Sequence, residues 1–220
     1  MLHSQKHVFW QALLVTIVIF SLGILMGFIL ENWRTSKVDQ LFKKSEIDLL
    51  DARVQNEIYT GKNFDCSLAI NENIKFADRI YNEAKTLDRY ETASRLSDEI
   101  YLEHKKYDIL RVLLLLNSMK IKEKCNSTYH EVVYFYNFNE QDINKKAKQN
   151  VYSNQLREIK EYKGDKMLLI PIAGNINVSS INLLLDVYDI KESDLPVIVI
   201  DGKIKVMDIK KLEDLKKYFE

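Results

Sequence analysis

From Val8 to Leu30 the chain reads VFWQALLVTIVIFSLGILMGFIL, twenty-three residues without a formal charge. At about 1.5 Å per helical residue the run reaches roughly 34 Å, enough to cross a hydrocarbon core of about 30 Å with a small tilt. The only two tryptophans, Trp10 and Trp33, stand near its ends, where amphipathic indole rings favour the headgroup level. A buried core helix rarely extends so far without a charge. A cleaved signal peptide fits poorly, because the run exceeds an h-region and no A-x-A-like site follows it. Residues 8–30 are therefore expected to form a transmembrane helix, preceded by a tail at 1–7, with the lipid bilayer as a partner. Gly23 and Gly27 within it form GILMG, a spacing that lets two helix backbones approach, so a homodimer through the anchor is one reading and chance occurrence the other.

The remaining residues, about 190, leave room for one mixed domain or two small ones. Lysine plus arginine and aspartate plus glutamate both number 32 and are interleaved. No basic footprint of the kind that nucleic-acid binding requires is left over. Both of the two prolines fall in the last fifty residues, which points to long helices first and a turn-rich, sheet-containing unit last. Cys66 and Cys125 are too few for a disulfide framework and far from CxxC spacing. They are either a disulfide pair, which suits an oxidising compartment, or two buried thiols.

Along the chain, Val38, Leu41, Phe42, Leu49, Leu50, Val54 and Ile58 recur at helical intervals, predicting an amphipathic, coiled-coil-like stalk helix over 31–60. Gly61 breaks it, and Ser67 is a candidate cap for a second helix marked by Ala69, Ala77, Ile80, Ala84 and Leu87. A third helical region is expected from Glu91 through Ile100 and Tyr101 to Lys122, with a bend or break at HKKYD, residues 104–108. Residues 61–125 thus form a helical hairpin region. The four leucines 113–116 predict a helix buried on several sides. A second span is excluded because the apolar run around them contains Arg111 and is far shorter than about twenty residues.

After Cys125 the pattern changes. Val132 to Tyr136 reads as a strand, 140–162 as a helix with Ile143, Ala147, Val151, Leu156 and Ile159 on one face, and 167–174 as a buried strand. Gly164 ends the helix between them. Ser179 or Ser180 is a candidate cap for a short helix carrying Ile181, Leu184, Leu185 and Tyr188. Pro196 opens a third strand that turns at Asp201-Gly202 into a fourth, and a last helix aligns Ile209, Leu212, Leu215 and Phe219. The order is βαβ followed by ββα, and right-handed crossover makes the first two strands parallel. The expected class is α/β: a transmembrane helix, a helical stalk and hairpin, and over 126–220 a four-stranded mixed sheet with helices on both faces.

That element order, with LPVIVIDGK at the third strand, resembles the thioredoxin-like superfamily over residues 130–220. The resemblance implies a redox loop after the first strand, where members carry CxxC. Here the segment is Asn137, Phe138, Asn139, Glu140, Gln141 and Asp142, without a cysteine, and such side chains cannot perform thiol–disulfide exchange. It also implies a cis proline at Pro196, with Leu195 before it offering its backbone to an extended peptide, or else serving only the turn.

Signals for sidedness disagree. Lys6 precedes the span and Arg34, Lys37, Lys43 and Lys44 follow it, which alone places the bulk in the cytoplasm. The sequons at Asn126 and Asn177, the cysteine pair and the outward habit of membrane-tethered thioredoxin-like domains favour an extracytoplasmic domain behind a signal-anchor. His3 and His7 lack a third ligand, and His104 and His130 have no metal-binding partners in the pattern. No P-loop, GxGxxG, HExxH or GxSxG occurs, so neither metal nor cofactor is expected. The expectation is a redox-inactive, membrane-anchored module that binds a protein or extended peptide. The alternatives are a thiol oxidoreductase or redox sensor using Cys66 and Cys125, and an assembly component dimerising through its anchor.

Overall fold

A computed structural model describes residues 3–61, 64–93 and 97–219, with side chains described except at 3–6, 34–39, 41–42, 86–93 and 97–100. The expectations placed on His3, Lys6, Arg34, Lys37, Val38, Leu41, Phe42, Leu87 and Ile100 lie outside those side chains. The chain forms two units, residues 1–44 and 45–220. Helix α1 (His3–Thr60) supplies the first and contributes its final turns to the second.

In the first unit, His7–Trp33 is a helical stretch long and apolar enough to cross a membrane, and none of it is buried by the rest of the chain. Thr16 turns its hydroxyl back onto the Ala12 carbonyl at 2.8 Å, so the one threonine in the run satisfies its own polar group. Helix α1 continues past Trp33.

The second unit begins with a helical bundle made of α1 from Ser45 onward, α2 (Cys66–Ala93) and α3 (Ser97–Cys125). Helix α1 stops at Gly61, as expected, and Lys124 closes its end by donating to the carbonyls of Tyr59, Thr60 and Gly61 at 2.8, 3.1 and 2.6 Å, which a helix C-terminus leaves unpaired. The cap of α2 is Asp65 rather than Ser67: its carboxylate accepts from the Ser67 and Leu68 amides at 2.8 and 3.1 Å. Cys66 and Cys125 lie at disulfide distance, 2.04 Å between sulfurs. Because one is the first residue of α2 and the other the last of α3, the two helices run antiparallel.

Helix α3 passes through HKKYD without a break and ends at Cys125, three residues beyond the expected Lys122. Its inward positions recur at 103/104, 107/108, 110/111, 114/115 and 117/118, a regular helical period. Several are filled by Glu103, His104, Asp108, Arg111, Asn117 and Ser118, all buried, so hydrophobicity alone does not reveal the stripe. Each finds a use: Ser45 donates to Glu103 at 3.1 Å, Asn117 to the Ala52 carbonyl at 3.2 Å, and Ser118 to Glu131 at 2.6 Å. Of the four leucines, Leu114 and Leu115 are buried, Leu113 is half-buried and Leu116 is exposed.

The sheet contains β1 (His130–Tyr136), β2 (Met167–Ala173), β3 (Val197–Ile200) and β4 (Ile204–Val206) in the order β2-β1-β3-β4. As expected, β1 and β2 are parallel and β3 and β4 antiparallel; β1 also pairs antiparallel with β3. Alternate residues serve two cores. Val133 and Phe135 face α3 and helix α5 (Ser179–Val187), whereas Val132 and Tyr134 face α4 (Ile143–Lys163) and α6 (Leu212–Lys216). On α4 the buried face is Tyr152, Leu156 and Ile159, and the expected Ile143, Ala147 and Val151 are exposed. On α5 neither Ser179 nor Ser180 caps; Val178 holds that position with no side-chain bond, while Ile181, Leu184 and Leu185 are buried. Ile209 is exposed and precedes α6.

The Asp201-Gly202 turn has both residues left-handed (φ 51° and 67°), Lys203 closes onto Ile200 at 3.1 Å, and the pairing of Ile200 with Ile204 leaves residues 201–203 as the connection. Asp201 also accepts from Lys122, from His130 Nδ1 at 2.7 Å and from the Glu131 amide at 3.0 Å. Burial works against its charge, yet these hydrogen bonds hold the Asp201 carboxyl below the usual aspartate range. The turn is thereby fastened to α3 and β1.

Gly174, just past β2, donates to the Tyr136 carbonyl at 2.8 Å, and a Cβ there would stand 2.7 Å from Leu195 Cδ1. Leu195 is itself 2 % exposed and cannot swing out freely. Gly174→Ala is therefore expected to cost about 1–3 kcal/mol through overpacking. In urea denaturation of the detergent-solubilised chain, adding Leu195→Ala should give a double variant less destabilised than the sum of the singles. Strict additivity would show that the clash is absent.

Candidate functional site

Where β1 leaves the sheet, the chain turns through Asn137 to Asp142 before entering α4. Two side-chain amides take over where strand pairing ends. Gln149 of α4 accepts from the Asn137 amide at 2.9 Å and donates to the Asn137 carbonyl at 3.2 Å. Asn175, beyond β2, does the same for Phe138 at 2.7 and 2.9 Å. The Phe138 ring lies 4.3 Å from the His104 ring and 5.8 Å from that of Tyr101, centroid to centroid, pinning the loop to α3.

The rest of the loop is organised around carboxylates. Glu140 accepts from the Asp142 amide at 2.9 Å and from the Asn137 side-chain nitrogen at 2.5 Å. Asp142 caps α4 by accepting from the amides of Asn144 and Lys145 at 2.8 and 3.1 Å. The Asp142 amide, then the Asn137 side chain, hold the Glu140 carboxyl below the usual glutamate range; the amides of Lys145 and Asn144 do the same for Asp142. Both stay ionised at neutral pH. Asn139 adopts a left-handed conformation (φ 53°), and Gln141 donates to its carbonyl at 2.9 Å, a role asparagine tolerates better than bulkier residues.

This loop forms one wall of an open cleft of about 380 Å³. The other walls come from Lys145 on α4, from Asn175, and from Glu192 and Ser193 in the short 3-10 turn Glu192–Asp194 before β3. Five of the six residues of the expected loop line the cleft; Asp142 stands behind them as the helix cap. The Leu195–Pro196 peptide is cis. Both residues are buried, and the Leu195 amide donates to the Glu192 carbonyl at 3.3 Å, so that amide already has a partner within the chain.

The other sequence-marked residues lie elsewhere. Cys66 and Cys125 sit in the bundle, near the small cluster of Tyr59, Ala69 and Ile121, and neither lines the cleft. His104 packs on Phe138 and His130 bonds to Asp201. Among the described residues, no group of three or more histidine, cysteine, aspartate and glutamate side chains is arranged to hold a metal. Trp10 and Trp33 are exposed, and a Cβ at Gly23 or Gly27 would meet open space. Asn126 and Asn177 are exposed and left-handed, with φ 47° and 51°.

Residue patterns did not single out Gln149, Asn175, Lys145, Glu192 or Ser193, because they come from three separate segments, α4, the stretch after β2 and the turn before β3, with no shared local motif. A buried ion pair on α3 was also missed, because a lone Asp and Arg one turn apart read as an ordinary surface pair. Arg111 donates to Asp108 at 2.7 Å, Asp108 is fully buried, and Tyr136 at the end of β1 also bonds to the guanidinium. Comparison of the chain with protein-family models, with curated proteins and with solved structures gives no match.

Proposed function

We propose that this protein is a single-pass, membrane-anchored module of thioredoxin-like type that has no thiol chemistry at its sheet end and acts by binding another polypeptide there. The strand order β2-β1-β3-β4, with β3 and β4 antiparallel to their neighbours, supports the resemblance. The observation that carries the function is the cleft itself. It opens where such a domain has its reactive loop, and its walls offer carboxylates, amides and one ammonium held by side-chain clamps. A surface fixed in advance loses less entropy on binding. The apolar helix His7–Trp33 supports anchoring, and a bonded cysteine pair supports a domain on the oxidising side of the membrane.

The test is capture of partners by the full chain in detergent. Asn139→Ala, Gln141→Ala and Glu192→Ala combined should abolish capture, while Tyr162→Ala on the exposed face of α4 should leave it intact. Cys66→Ser with Cys125→Ser should also retain capture, and no variant should reduce insulin. Partner capture that survives the triple substitution, or insulin turnover that vanishes with the cysteines, would overturn the reading.

A further inference from the structure

Residues 126–129 join α3 to β1, and they open with the sequon Asn126-Ser127-Thr128. An asparagine followed two residues later by a hydroxyl side chain is the acceptor pattern for an N-linked glycan on the surface of an exported domain. Both Asn126 and Thr128 are exposed here. Asn126 is left-handed (φ 47°), a conformation that favours asparagine just past a helix end. That accounts for the asparagine but not for the exposed threonine. The residue before it, Cys125, is bonded to Cys66, and a disulfide marks the oxidising side of a membrane.

The second sequon, Asn177-Val178-Ser179, is exposed at its first and last residues but begins two residues beyond Asn175 in the cleft wall. A bulky glycan there would crowd the cleft. Asn126 instead precedes the first residue of β1, whereas the cleft loop follows its last, so the length of the strand, about 20 Å at roughly 3.3 Å per residue, keeps the two apart.

We infer that Asn126 carries an N-linked oligosaccharide, with Thr128 supplying the hydroxyl that the acceptor pattern requires. In the transfer the Asn126 side-chain nitrogen attacks the anomeric carbon of a lipid-phosphate-linked oligosaccharide. A C–N bond forms, the C–O bond to phosphate breaks, the lipid phosphate leaves and the amide gives up one proton, with no change of oxidation state. This inference rests on the extracytoplasmic placement proposed above, and the choice of Asn126 over Asn177 rests on the cleft remaining open.

The experiment takes the full chain from the membranes of the cells that make it. After reduction, alkylation and trypsin, residues 125–145 form one peptide and residues 167–191 another, each with a single sequon. Mass spectrometry is expected to find the first displaced upward by a sugar mass, with fragment spectra placing it on Asn126, and the second bare. Thr128→Ala, made in the same cells, should abolish the displacement and Thr128→Ser should keep it; both variants leave the left-handed Asn126 in place. An unmodified first peptide, a sugar that survives Thr128→Ala, or a sugar on Asn177 in its place would each overturn the assignment. Digestion of intact cells with a protease that does not cross the membrane separates this from the placement it rests on. A domain that is cleaved yet carries no sugar leaves the extracytoplasmic reading standing, and one that is protected and bare removes both. Partner capture tests the binding reading independently, since the cleft is at the other end of the strand.

Discussion

Replacing Arg111 with methionine is expected to destabilise the folded chain by about 3–5 kcal/mol, the usual consequence of removing one partner from a buried ion pair. Arg111 and Asp108 are 2.7 Å apart on one turn of α3, with side chains 10 % and 0 % exposed. Methionine matches the volume of the aliphatic stem and leaves the buried Asp108 carboxylate without its guanidinium partner, with only the Ala173 amide and His104 beside it. Asp108→Asn with Arg111→Met should recover much of the loss, since a neutral amide costs less to bury than a carboxylate. The pH dependence has a definite sign. Burial already pushes the Asp108 carboxyl up, against the pull of Arg111, and removing Arg111 raises it further. A carboxyl whose pKa is higher folded than unfolded favours folding below its unfolded value, about 3.9, and that contribution is lost as pH rises through the folded value. The deficit of Arg111→Met relative to wild type should therefore shrink as pH falls. Urea midpoints of both chains at matched pH values measure this, and a deficit that does not change with pH would refute the account.

Removing both cysteines should lower stability by about 4 kcal/mol in the chain-entropy description of a cross-link spanning tens of residues; here the separation is 59. The loop so closed contains all of α2 and α3, so loss of the bond acts mainly by relaxing the unfolded chain. Cys66→Ser with Cys125→Ser, compared with the oxidised and the reduced wild type by urea denaturation, should place the variant close to the reduced protein. A change under about 1 kcal/mol would mean that the bond is not structural and would revive a redox role for it.

Legibility followed the kind of force involved. The long apolar helix and the break at Gly61 were legible, because each rests on a local property: unbroken hydrophobicity, or a glycine after a run of helical spacing. So was the hairpin at Asp201-Gly202, whose left-handed pair few other dipeptides supply. Helix α3 was misread at HKKYD because its inward face there includes His104 and Asp108, polar residues whose burial against Phe138 and Arg111 no hydrophobic pattern reveals. On helix α4 Leu156 and Ile159 face inward as expected, but Tyr152 does so in place of its neighbour Val151, since only packing against Tyr134 and Phe219 decides which goes inside. In the cleft, the loop at 137–142 was legible from its place after β1, and the wall opposite was not.

The residues by themselves determined where an apolar helix must lie, which segments become strand or helix, and that no thiol follows β1, because each is set by neighbours within a few positions. Tertiary structure alone decided that Cys66 meets Cys125, that Gln149 and Asn175 clamp the loop after β1, and that Glu140 and Glu192 line one cleft. Those are meetings between distant segments, and their energy exists only once the sheet and bundle have brought them together.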